Sequence, residues 1–283
     1  MSQLEDCITS AVNAPNPAWF PGLAAPLAQT GWTRLSAIAL GQENYGTNRF
    51  LAGDAAAERH VIAAVGWPQQ TAAPMLIEVL REPIRKHYAS IGLRFSALDD
   101  QRRNASAKLQ QAIALIAELP SLAETISALV RVVHIIYSPD ADIDISHSDP
   151  AVPFSVFVSI PISDRDNSPM RLAESIVHEA MHLQLSLIEA VVPIVVETQS
   201  KSWSPWQRTP RPIQGVIHGI YVFLVIDQFI GAIAGLNCVR CAQHLTRRRR
   251  EIRAELLEAA PVCQSNDLTL FGKKLLQRLY ADL

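Results

Sequence analysis

The chain has 283 residues, 49% hydrophobic and 18% charged, enough apolar material for one large domain or two intimate ones. Its formal net charge of −2 offers no global field for nucleic acid or an anionic membrane, so neither is expected as a partner. The start, MSQLEDCITS, lacks a basic stretch followed by an apolar run. Four scattered cysteines (Cys7, Cys238, Cys241, Cys263) are too few for a disulfide scaffold, so the expected compartment is a reducing cytoplasm.

Residues 1–55 are rich in Pro, Gly, Asn and Trp and predict short elements on irregular backbone. From Ala55 apolar residues recur at three- and four-residue intervals. That pattern predicts helices over AAAERHVIAAV, APMLIEVLREPIRKHYAS, DDQRRNASAKLQQAIALIAEL and, after Pro120 with Ser121 as N-cap, SLAETISALVRVVHIIYS. Around residue 140 the texture changes. PDADIDISHSDPAVP is acidic and turn-rich, and FSVFVSIP alternates as a strand over 154–160 should. Ser168 as N-cap and Pro169 at the first helical position then open a helix to about Ala190. VPIVVET reads as a second strand and KSWSPWQRTPRP as a Trp- and Pro-laden loop.

The run from Val216 to Leu236 is long enough on paper to span a bilayer. His218, Asp227 and Gln228 lie within it, and an acidic group at mid-span costs roughly 2.5–3.5 kcal/mol, so a buried core helix from Ile213 is expected. Two further helices end the chain. The predicted fold class is α+β, mainly helical, with a small sheet beside the helix of 169–190. The predicted organisation is a helical region over 1–140 and a second region over 141–283, together one compact unit.

His178-Glu179-Ala180-Met181-His182 carries the chemistry. Histidines four apart lie one turn apart on one helix face, so both imidazoles can reach one ion. The bland alternative is two helix histidines satisfied by neighbours. A catalytic zinc or iron site needs a third protein ligand and open positions for water or substrate. The extended metzincin form fails, because Ile188 stands six residues beyond His182. Glu189 lies two turns along, too far for the same ion. His218 is the favoured third ligand and Glu197 the next. Gly219, beside His218, would let another element approach closely.

VHEAMHLQLSLIE, the loop SWSPWQRTPRP and GVIHGIYVF together resemble the HExxH-motif proteins of ribosomal peptide modification, as does the preceding SDPAVPFSVFVSIP. The resemblance covers roughly Ser146 to Phe229. It implies an Fe(II)- and 2-oxoglutarate-dependent oxygenase that β-hydroxylates a precursor peptide, on a fold other than the double-stranded β-helix. It implies iron on His178, His182 and His218. The distal carboxylate of 2-oxoglutarate needs a cation, for which Arg211 between two prolines is the first candidate and Arg208 the second. Trp203 and Trp206 are candidates to line the peptide groove. The rival is a zinc metallopeptidase in which Glu179 acts as general base on zinc-bound water. A third reading is a non-catalytic relative that binds a peptide or partner protein.

Cys238-Val-Arg-Cys241 is a lone CxxC in helical context and reads as a core pair of thiols. Arg247–Arg250 reads as a solvated helix face, with docking of an acidic peptide segment as the functional alternative. Of the other histidines, His147 in SHSDP stands closest to the predicted strand.

Overall fold

The computed structural model describes residues 3–31, 61–68, 72–80, 82–95, 98–149, 154–161, 167–197, 199–236, 242–281 and 283. The fold is α+β, 58% helical, and among the described residues no sheet closes into a barrel. A double-stranded β-helix is thereby excluded. The Cys238–Cys241 pair lies outside the described residues. The chain divides into two compact units, residues 24–183 and residues 1–23 with 184–283.

The unit of residues 24–183 is built on a five-stranded sheet in the order β1-β2-β3-β5-β4. The strands are β1 (Val61–Val65), β2 (Met75–Glu78), β3 (Val130–Ile136), β4 (Ser146–Ser148) and β5 (Phe154–Ser159). β2, β3 and β5 run parallel, and the two edge strands β1 and β4 run antiparallel to their neighbours. Three of these strands fall where helix is expected from sequence. In β2 and β3, apolar runs buried on both faces lose the alternation that marks a strand, and short ones cannot then be told from helix by period alone. The segment VRVVHII is such a run: six of its seven residues are buried. Its β-branched residues favour the pleat over a helix. The helix before it, α4 (Pro120–Leu129), starts from Leu119 without a side-chain cap rather than from Ser121. Before α4 come α1 (Gln3–Asn13), which belongs to the other unit, α2 (Glu82–Ser90) and α3 (Leu98–Ala117).

The expected helix at the motif is α5 (Ser168–Glu189), and the division between the units falls within it. In the unit of residues 1–23 and 184–283, the described residues of VPIVVET form no strand but an isolated bridge, Val195 to Leu268. The Trp-Pro segment is a hairpin, β6 (Lys201–Ser204) with β7 (Thr209–Pro212), instead of a loop. Proline tolerates this because a two-stranded ribbon is all edge. After it come α6 (Ile213–Gly235), α7 (Ala242–Ala259) and α8 (Leu270–Tyr280).

α6 is the one described helix long and apolar enough to cross a membrane, and 72% of its most apolar window is buried in protein. Each polar group that argued against a bilayer has a partner. Asp227 accepts paired hydrogen bonds from Arg249 (3.0 and 3.1 Å) and Arg253 (3.0 and 2.9 Å) of α7. Gln228 Oε1 accepts from the Ala18 N–H at 2.8 Å, and His218 meets Glu189 at 2.9 Å.

Asp227→Ala should destabilise the chain by about 2–3 kcal/mol in denaturant unfolding. That is below the range for a fully buried pair, because the arginines are about one-third exposed. Burial pushes the Asp227 carboxyl up, but the hydrogen bonds from Arg253 and Arg249 outweigh it and hold the group below its ordinary range. A lowered folded-state value adds stability above the unfolded value of about 4, lost as the pH falls through the folded value. The deficit of Asp227→Asn should therefore be full at pH 6–8 and shrink below about pH 4.

Candidate metal centre

From Met170 to Leu185 helix α5 is buried on nearly every side, and Glu174, His178 and His182 are the exceptions. Ser186 continues the same line at four-residue spacing. The histidines thus lie on the half-buried strip of a core helix.

Their two Nε2 atoms face each other at 3.1 Å, with ring centroids 4.7 Å apart and planes at 68°. Two nitrogens each about 2.1 Å from one ion and cis to each other lie roughly 3.0–3.4 Å apart, so the pair fits two ligands of one metal. Without an ion, one Nε2–H donates to the lone pair of the other ring over the same distance. Among the described residues no three His, Cys, Asp or Glu side chains gather closely enough to hold an ion together.

Glu179 is 4% exposed, and its Oε1 lies 3.9 Å from His178 Nε2. Its carboxyl accepts hydrogen bonds from the hydroxyls of Ser146 and Ser148 on β4. Burial pushes it up to about 7, against the downward pull of those two hydroxyls. Arg171, two turns earlier on the same helix, grips Asp144 with Nε at 2.7 Å and Nη2 at 2.9 Å, and donates to Ala141 O. Asp144, Ser146 and Ser148 alternate along the segment, so they share one face and fasten it lengthwise to α5.

The odd residues point the other way. His147 and its cross-strand neighbour Phe157 pack against Tyr88, and the Tyr88 hydroxyl donates to Asp149 Oδ2 at 3.0 Å. Burial lowers the His147 imidazole below its ordinary value, Asp149 opposing, so at neutral pH the ring is an uncharged packing group. The serines that flank His147, and not His147 itself, reach the motif. A three-residue strand carries too little pattern to show this in the sequence.

The remaining candidates lie in the other unit. His218 Nε2 bonds Glu189 Oε2, which also accepts from Gln214 Nε2 at 2.8 Å, while Glu189 Oε1 is buried without a hydrogen-bond partner. Glu197 is exposed. Arg208 and Arg211 are exposed on the β6–β7 hairpin. Trp203 is 43% exposed and its indole N–H donates to Glu258 at 2.6 Å. Trp206 stacks on Phe223 at 5.0 Å and covers Gly219, where an added Cβ would come within 2.5 Å of the indole. Gly219 does admit a close approach, and the approaching group is Trp206. Gly219→Ala should cost about 1–2 kcal/mol by displacing that ring, readable as a blue-shifted or red-shifted tryptophan emission together with a lower unfolding midpoint.

A comparison with known proteins finds no family model that matches the chain and no curated protein that matches its sequence.

Proposed function

We propose that the chain is an Fe(II)- and 2-oxoglutarate-dependent oxygenase that hydroxylates a β-carbon in a ribosomally made precursor peptide, in the cytoplasm. The observation that carries the metal part is the pair of Nε2 atoms 3.1 Å apart on the half-buried strip of an otherwise buried helix. His178 and His182 would hold iron, and the family resemblance, rather than any grouping of the side chains, names His218 as the third protein ligand. Glu189 beside His218 is the kind of carboxylate that fixes the tautomer of a metal-bound imidazole. The exposed guanidinium of Arg211, or that of Arg208, is available for the distal carboxylate of 2-oxoglutarate. Trp203, partly exposed on the same hairpin, and Trp206 are the aromatic groups proposed for the peptide.

Bound iron with its co-substrate supplies the oxidation: peptide C–H, O₂ and 2-oxoglutarate give peptide C–OH, succinate and CO₂. The protein's own share is to orient the imidazoles and keep bulk water from the buried side of the helix. The test incubates purified protein with Fe(II), 2-oxoglutarate, O₂ and each short peptide found encoded beside its gene. A gain of one oxygen in mass, with one succinate per hydroxylated peptide, is the expected result. Neither product forming under anaerobic metal loading and air exposure would remove the proposal.

One observation favours a second reading, a zinc metallopeptidase. The Glu179 carboxyl lies 3.9 Å from the proposed ligand nitrogen, within reach of a metal-bound water. Glu179→Gln separates the two: a peptidase loses nearly all turnover, at least 1000-fold, whereas hydroxylation persists within about tenfold provided the fold is kept. Cleavage of the peptide without 2-oxoglutarate would decide for the peptidase.

A further inference from the structure

Strand β4 is an edge of the five-stranded sheet, and among the described residues nothing pairs with its outer side. Its ladder parity follows from one bond: Ser159 N–H donates to Ile145 O at 2.8 Å. In an antiparallel pair, bonded and non-bonded positions alternate, so by that parity the His147–Phe157 pair is the bonded one and Ser146 and Ser148 occupy the positions that do not bond β5. The N–H and C=O groups of Ser146 and Ser148 therefore point outward from the sheet edge. All three β4 residues are half-buried rather than covered.

Helix geometry and burial turn the histidines toward that same side. On a helix each residue turns by about 100°, so with Glu179 facing β4, His178 and His182 point to one side by about 100° and 60°. The two sides of β4 differ. One is roofed by β5, whose Val156 and Val158 are fully buried. Histidines beneath β5 would be buried as well, yet both are only half-buried, His178 with 25% of its side chain exposed. They flank the unpaired edge.

We infer that this edge takes an extended peptide as an additional strand, bonded to the outward groups of Ser146 and Ser148 and carried past the histidine pair. The inference rests on the reading of that pair as a metal centre that acts on peptides. Strand addition matches a substrate that varies in sequence, since main-chain bonds supply the affinity and alternate side chains supply the selectivity. Every second side chain of such a strand faces the α5 side, which selects one residue for the metal. The short length of β4 and its fastening by Arg171 and Glu179 keep the edge rigid enough to act as a template while limiting pairing with other chains.

The test uses the full chain loaded with Co(II), whose visible spectrum reports ligands at the metal. The probes are acetohydroxamate and acetyl-Ala-Val-Ala-Val-hydroxamate, together with versions of the latter N-methylated at alternate amides. The peptide hydroxamate should bind at least tenfold more tightly than acetohydroxamate. N-methylation at one parity should erase that gain and at the other leave it. Amide hydrogen exchange at Ser148 should slow at least tenfold with the peptide bound, while His147, already in the ladder, stays unchanged. Equal binding of both hydroxamates, or tighter binding indifferent to methylation parity, would overturn the edge site and leave the metal centre standing. No cobalt spectrum dependent on His178 and His182 would remove the metal centre and the edge site with it.

Discussion

Replacing His182 with alanine should lower the affinity for Fe(II) by more than 100-fold and abolish succinate formation, with little effect on the unfolding midpoint. The magnitude follows from ligand count: outer groups that only orient a ligand are already worth 10–100-fold, and the loss of a ligand exceeds that. Stability should change little, because the ring sits on the half-buried strip of α5. Its removal creates no closed cavity. His178→Ala should behave alike, its side chain being 25% exposed. Isothermal titration under anaerobic conditions, or the cobalt spectrum, measures the first quantity, and urea unfolding the second. If both variants kept wild-type metal affinity, the 3.1 Å separation would be a hydrogen bond between two imidazoles and nothing more. If instead both unfolded, the pair would be structural.

Gly272→Ala should be the most damaging alanine substitution among the described glycines, at about 3 kcal/mol or more in urea unfolding. A Cβ there collides with the carbonyl oxygen of Ile194, a backbone atom. That carbonyl has little freedom to move. It accepts from the Thr269 N–H at 3.0 Å and from the Thr269 hydroxyl at 3.1 Å, and the same hydroxyl reaches Pro193 O at 2.7 Å. Thr269 Oγ1 in turn caps α8 by accepting from the Gly272 N–H at 3.0 Å. Next to this junction Val196 N–H bonds Asp267 O, and Val195 bridges Leu268. Making room for the methyl group means loosening the cap, the bridge or both. A loss below 1 kcal/mol would show that the segment of residues 193–196 shifts freely, contrary to this network.

Neither the collision at Gly272 nor the edge beside the histidines can be read from the sequence. Gly272 follows Leu270 and Phe271 as any glycine in a helical pattern might, and its meaning comes from the carbonyl of Ile194, 78 residues earlier in the chain. Ser146 and Ser148 likewise gain their role from a carboxylate on a helix that begins twenty residues later. By contrast the histidine pair needs only its own helix. A spacing of four on a periodic apolar segment places both rings on one face whatever the helix packs against, and the Nε2 atoms do meet.

Local chemistry also determined the long apolar helix α6, since Asp227 and Gln228 in its middle demand partners that a bilayer does not provide, and the strand and helix on either side of residue 165, which begin within two residues of where alternation and capping residues place them. Tertiary structure decided whether VIAAV, MLIE and VRVVHII became strand or helix. Their apolar residues satisfy either period, and the choice falls to the neighbouring strands that complete their hydrogen bonds. It also decided where the tryptophan of the hairpin turn packs, since Trp206 stacks on Phe223 and covers Gly219. Backbone groups must be paired and apolar faces covered, and the sequence of a segment states that requirement without naming the partner that meets it.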